Sequence, residues 1–214
     1  MERAISPAAA PSGCVRKGVS RDMPPILPRK FYARDPVSVA QDLLGKLLVS
    51  GQTTGRIVEV EAYLGTGDQA AHSARGITDR TRVIFGPPGH AYVYFIYGMY
   101  ECLNIVTSPA GTAGCVLIRA LEPIAGIDLM RERRPRAKRI EDLANGPGKL
   151  TLAMGIDRSR NGADLTRRAG PLTVHNASTA LPFDIVTTTR IGIGVSAELP
   201  LRFYIAGNSC VSVP

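Results

Sequence analysis

The sequence predicts one mixed α/β domain of the α+β kind. Three observations carry that expectation. A chain of 214 residues has room for a single full-sized core. Its strongest β-type runs are RIVEVEAYL at 56–64, HAYVYFIY at 90–97 and GCVLIRAL at 114–121. They alternate in polarity or are rich in branched and aromatic residues. Among them lie helix-type runs at 36–44, 126–134 and 145–156, with no internal repeat.

Taken in order, residues 1–28 are rich in Ala, Pro, Ser and Arg and lack period. They read as a disordered N-terminal tail, and the folded domain is expected over 29–214. PVSVAQDLL, 36–44, suits a short helix with Pro36 near its start. KLLVS, 46–50, suits a strand, and GQTTG a turn. In RIVEVEAYL, Val58, Val60, Ala62 and Leu64 point one way as a core face. Ile57, Glu59, Glu61 and Tyr63 point the other way. HAYVYFIY and MYECLNIV flank Gly98 and read as a hairpin, with Tyr97 and Met99 exposed at its tip. GIDLMRERR, 126–134, suits a helix ended by Pro135. PLTVHN, RIGIGV and LRFYIAG read as strands of the C-terminal third.

Composition narrows the chemistry. Twenty-six basic and 18 acidic residues give a net charge of +8, which favours a polyanionic partner such as nucleic acid. Six basic groups fall within 131–139, namely Arg131, Arg133, Arg134, Arg136, Lys138 and Arg139. They form either a solvated helix end or a phosphate-contact strip. Cys14, Cys102, Cys115 and Cys210 form no CxxC pair, and His72, His90 and His175 form no HExxH or HxE arrangement. No metal or other cofactor is expected. The cysteines read as reduced thiols of an intracellular protein. No stretch is apolar enough to span a bilayer, and the absence of heptads points to a monomer.

The candidate chemistry lies in 57–104, which holds five of the seven tyrosines. Two glutamates two apart on a strand are usually solvent-exposed. Here Tyr63 shares the face of Glu61, and His72 follows in a loop. Arg119 is a lone charge in an apolar strand, where burial demands a partner. A glutamate would satisfy it and stay ionised, ready to activate water. The tyrosines suit either a packed β-core or a platform for a planar base, with Tyr63, Tyr94 and His72 as stacking candidates. Tyr97 and Met99 at a turn suit wedges between base steps. GPGK at 146–149 lacks the first Gly and the Ser/Thr of a P-loop. Lys149 is a Schiff-base candidate if the protein were a lyase. A DNA-binding module without catalysis and a hydrolase of small sugars or nucleotides are the other readings.

Six segments taken together resemble the alkyladenine (3-methyladenine) DNA glycosylases of the methylpurine glycosylase family. They are VEVEAYLGTGDQAAHSARG, GPPGHAYVYFIYGMYECLNIV, CVLIRALEPIAG, NGPGKLTLAMGI, RIGIGV and LRFYIAGN, in order from about Phe31 to the C-terminus. The resemblance implies a curved antiparallel sheet with flanking helices and a protruding β-hairpin. It implies an enzyme that flips a damaged purine from double-stranded DNA and hydrolyses its N-glycosidic bond, with 3-methyladenine, 7-methylguanine, hypoxanthine and ethenoadenine as the lesions. By motif, Glu61 matches the general base and Arg119 the arginine that holds it and the water. Tyr63, His72 and Tyr94 match the residues that sandwich the base. Asn104 matches the asparagine that crowds the purine 2-position. Tyr97, with Met99 beside it, matches the tyrosine that fills the hole in the duplex. Ile193 matches a residue whose backbone carbonyl touches the water.

Overall fold

The computed structural model describes residues 23–96, 98–177 and 182–213. Among the described residues eight antiparallel strands form one curled sheet, flanked by four helices. The strands are β1 (Leu47–Ser50), β2 (Thr53–Tyr63), β3 (Ala91–Ile96), β4 (Tyr100–Val106), β5 (Cys115–Ala125), β6 (Leu172–His175), β7 (Ile185–Thr188) and β8 (Arg202–Ile205). Their order is β3-β4-β5-β2-β1-β6, with β8 also paired to β2 and β7 to β8. The helices are α1 (Arg29–Tyr32), α2 (Pro36–Leu43), α3 (Ile127–Arg133) and α4 (Pro147–Met154).

The longest strands, β2 and β5, form the spine. β2 is shared along its length: Leu47–Ser50 pair with its first part, and Arg202–Tyr204 pair with Glu59–Glu61. That split lets the sheet curl around α2, whose Val39, Ala40 and Leu43 are buried against Val58, Val60 and Ala62. Helix α2 starts where Asp35 accepts from the amides of Val37 and Ser38, both at 2.9 Å, with Pro36 at its first position. This satisfies two of the donors that a helix start leaves open. The hairpin β3–β4 closes through Gly98 at φ +67°, a left-handed conformation that suits glycine. Exposure rises along it from buried Ala91 to Phe95, Met99 and Tyr100 at the free end.

Five expectations need correction. The ordered fold reaches further toward the N-terminus than Arg29: Leu27 N–H donates to Val174 O, and Asn176 N–H to Pro25 O, both at 2.9 Å. Residues 24–27 thus cover the outer edge of β6, and Leu27 is buried. Residues 1–22 lie outside the described residues. The GQTTG turn is shorter than expected, because Thr53 already pairs with Ser50. Leu64 is not a core residue; it lies past the end of β2 and is 39 % exposed. The carboxylate face of β2 is as buried as the other: Arg119, Arg202 and the segments at Ile191 and Ser212 close over Glu59 and Glu61. RIGIGV is a loop, and the strand of that region is β7, a few residues earlier.

Candidate active site

Two opposed bulges create the centre of the site. Between Ile57 and Glu59 the register shifts at Val58, and between Glu59 and Val60 it shifts back. Ala120 faces Glu59, Ile118 faces Val60, and Arg119 faces no residue of β2. A bulged residue leaves the ladder and its side chain is re-aimed. Here the guanidinium lies between the two glutamates. Its Nε donates to Glu59 at 2.8 Å, and its Nη1 lies 3.0 Å from Glu61 Oε1. Both carboxylates have no solvent exposure, and Arg119 has 6 %.

Glu61 gathers two further donors. The Ile191 amide donates to Oε1 at 2.8 Å, and the Tyr63 hydroxyl to Oε2 at 2.9 Å. A carboxylate offers about four acceptor positions, so two hydrogen bonds and the Arg119 ion pair at Oε1 leave one on Oε2. Burial pushes the Glu61 carboxyl above its ordinary value, and Arg119, the Ile191 amide and Tyr63 pull it only part of the way back. Desolvation outweighs these partners, and Glu61 is a stronger base than a free glutamate. Burial and the adjoining carboxylate hold the Tyr63 phenol protonated, so it serves as a donor.

Next to this group, with Glu61 itself behind its wall, lies a cavity of about 340 Å³, within the usual range for small-molecule sites. Tyr63, His72, Tyr94, Asn104, Arg119 and Ile193 all line it, together with Tyr92, Cys102, Cys115 and Gly148. Gly148 is required there: a Cβ would lie 2.8 Å from Tyr100, so α4 could not press its first turn against the hairpin. His72 stands at the mouth, its ring edge-on to Tyr94 with centroids 4.6 Å apart, and its Nδ1 3.1 Å from the Tyr92 hydroxyl. Partial burial, and then the nearby Arg80 cation, pull the imidazole down to about 4, so it is neutral at neutral pH. Asn104 is held by a 3.4 Å bond to Tyr92 O, and its side-chain oxygen accepts from the Cys115 thiol at 3.8 Å.

The loop that carries Ile191 and Ile193 is fixed by a pair the sequence reading missed. Arg190 and Asp68 are both buried, with a hydrogen bond of 2.8 Å between Nη2 and Oδ1. The guanidinium also lies over the Tyr63 ring, 4.7 Å from its centroid, and donates to Ala62 O and Ser196 O. Although burial pushes Asp68 up, the Arg190 hydrogen bonds hold it below the usual carboxylate range. Asp68→Asn should cost about 3–5 kcal/mol, the scale for breaking a buried ion pair, read as a lower midpoint in urea. An unchanged midpoint would show that the pair does not hold the loop.

Other candidates separate from the cavity. Met99 is 61 % exposed at the hairpin tip, as expected, and Tyr97 lies outside the described residues. Lys149 is not in the wall; its ammonium donates to Asn145 at 2.8 Å. This argues against Schiff-base chemistry in the pocket. In the basic run, Arg133 caps Ala153 O and Arg134 binds the carbonyls of Asp142 and Leu143, while Arg139 pairs with Asp142. Half of that strip is structural. Cys102, Cys115 and Cys210 are buried free thiols. Among the described residues no cluster suits a metal ion, and no helix is long and apolar enough to cross a membrane.

A family model described as methylpurine-DNA glycosylase (MPG) matches residues 30–209. The chain belongs to the methylpurine-DNA glycosylase family. Curated relatives run nearly full length. A protein of Methanoculleus marisnigri is 56 % identical over 192 residues, covering 87 % of this chain and 98 % of the relative. One of Methanocella arvoryzae is 50 % identical, covering 88 % and 96 %. One of Burkholderia lata is 48 % identical, covering 88 % and 92 %. All three carry the name "Putative 3-methyladenine DNA glycosylase". As a methylpurine-DNA glycosylase the protein is a hydrolase of N-glycosyl bonds, and the site just described is the place to look for that chemistry.

Proposed function

We propose that this methylpurine-DNA glycosylase flips damaged purines out of duplex DNA into the aromatic cavity and uses Glu61 to activate the water that attacks C1′. The observation that carries the reading is the Glu61 carboxylate itself. It is fully buried behind the wall of an aromatic pocket that its partners Tyr63, Arg119 and Ile191 help to line, held by two hydrogen bonds and the Arg119 ion pair, with one acceptor position left on Oε2. A general base needs that geometry, and a raised basicity helps it at neutral pH. Arg119 holds Glu61 and the water, and the Ile193 carbonyl helps place the water. Tyr63, His72 and Tyr94 enclose the base. A neutral imidazole at His72 avoids repelling a cationic alkylated purine.

A 3- or 7-alkylated purine is already cationic and leaves without a strong protein acid, so one carboxylate suffices. Hypoxanthine and ethenoadenine are neutral, so their departure needs a proton donor. Damaged and mispaired bases cost less to extrude, which is one source of selection. Met99 at the exposed hairpin end, and Tyr97 by its match to the family motif, fill the gap left in the duplex. The net charge of +8 supports a phosphate-rich partner such as DNA.

Asn104 sits 3 % exposed in the wall, fixed on both ends of its amide. A purine 2-amino group would press against it. Asn104→Ser should raise the release of undamaged or 7-methylated guanine relative to hypoxanthine by about tenfold, the scale of one lost steric discrimination. An unchanged ratio would remove Asn104 from the specificity pocket. The reading as a whole is tested by base release from duplex oligonucleotides carrying one hypoxanthine or one ethenoadenine. Tight lesion binding without release, there and on 3-methyladenine, would reduce the protein to a damage-binding module.

A further inference from the structure

We infer that Glu59 is a positioning residue for the reaction, and that together with Arg202 and Ser212 it sets the orientation and net charge seen by Glu61 through Arg119. The inference rests on Glu61 being the base. Glu59 lies on the same face of β2 as Glu61 and, like it, has no solvent exposure and sits behind the cavity wall; the partners of Glu61 all line the cavity, whereas of those of Glu59 only Arg119 does. Its Oε1 accepts from Arg119 Nε at 2.8 Å and from Arg202 Nη1 at 2.9 Å. The Ser212 hydroxyl donates to Oε1 at 2.9 Å, and the Ser212 amide to Oε2 at 2.7 Å. Arg202 is anchored in turn by Val213 O at 2.7 Å. Such saturation is unnecessary for a carboxylate that merely fills space, and burying it has a large cost unless every contact is made.

The arrangement divides labour. Guanidinium Nε is committed to Glu59, which fixes the plane of the fork so that Nη1 meets Glu61. The charges balance as two carboxylates, Glu59 and Glu61, against two guanidiniums, Arg119 and Arg202. The other groups around Glu61 are Tyr63 on its own strand, Arg190 from the loop after β7, already paired with Asp68, and the Cys102 thiol on β4. Tyr204 pairs with Glu59 across the sheet. Neutralising Glu59 removes a like charge near Glu61 and leaves two cations facing one carboxylate. The ionised form of Glu61 then persists to lower pH, but the guanidinium loses its anchor.

The test uses single-turnover release of 7-methylguanine from duplex DNA against pH, with lesion-DNA affinity measured in parallel. Glu59→Gln should lower the plateau rate by about a hundredfold, the scale of a small misplacement. It should move the acid limb to lower pH and leave affinity unchanged. Glu59→Asp keeps the charge but not the reach, so its plateau falls while its limb stays in place. If the Gln variant does not fold, Arg202→Met carries the test, with the limb moving to higher pH. Wild-type plateaus, or a lower plateau with no limb movement in either charge variant, would overturn the inference. Glu61→Gln run alongside separates the two readings: full release by that variant would remove the base itself, whatever Glu59 does.

Discussion

Glu61→Gln is expected to lose base release by about 10²–10⁴-fold, the range for removing a general base, while binding lesion DNA as tightly as the wild type. The amide is isosteric: its oxygen can keep the Ile191 amide, and its NH2 can donate to the Tyr63 hydroxyl, which is able to turn and accept. What goes is the proton acceptor. The loss should fall on the chemical step, seen in single-turnover release, and not on affinity, since the phosphate contacts that dominate binding are elsewhere. Loss of binding as well would mean that Glu61 holds the pocket together and that its chemistry has been misread. Retained release would remove it from the mechanism.

Arg119→Met should have the next largest effect, and a different one. Two buried carboxylates would then share Arg202 alone, and breaking a buried charge network costs about 3–5 kcal/mol. The urea midpoint should drop accordingly. Release should fall too, because Glu61 loses the partner that offsets its burial. Its proton would be held to higher pH, so raising the pH should recover part of the Arg119→Met rate and none of the Glu61→Gln rate. If the variant melts like the wild type, the guanidinium is not the keystone that its position between Glu59 and Glu61 suggests.

Much of this was legible in residues alone. The alternation of RIVEVEAYL placed Glu59, Glu61 and Tyr63 on one face, and the isolation of Arg119 in an apolar strand demanded an anion. The hairpin at Gly98 followed from β-type runs around a glycine. Less visible was the burial of that carboxylate face. Alternation marks one face as polar, but only the fold shows that the segments at Ile191 and Ser212 close over that face. The bulges at Val58 and Arg119 leave no pattern in sequence, since each is a single unpaired residue in an otherwise regular strand. RIGIGV misled for a similar reason: its branched residues suit a strand, yet Arg190 is committed to Asp68, 122 positions earlier, and draws the segment into a loop. Long-range pairs of that kind have no local signal. The roles of Tyr63, His72, Asn104 and Tyr97 came from the family resemblance, not from spacing.

The most direct test of the central claim is the pH dependence of single-turnover release of 7-methylguanine, a lesion whose departure needs no acid. With Glu61 as the base, the rate should be flat toward alkaline pH and fall on acidification through a single limb. That limb should lie above the ordinary glutamate value of 4.5, because burial raises the carboxyl. A rate that stays flat through that limb, or that rises on acidification, would contradict water activation by Glu61.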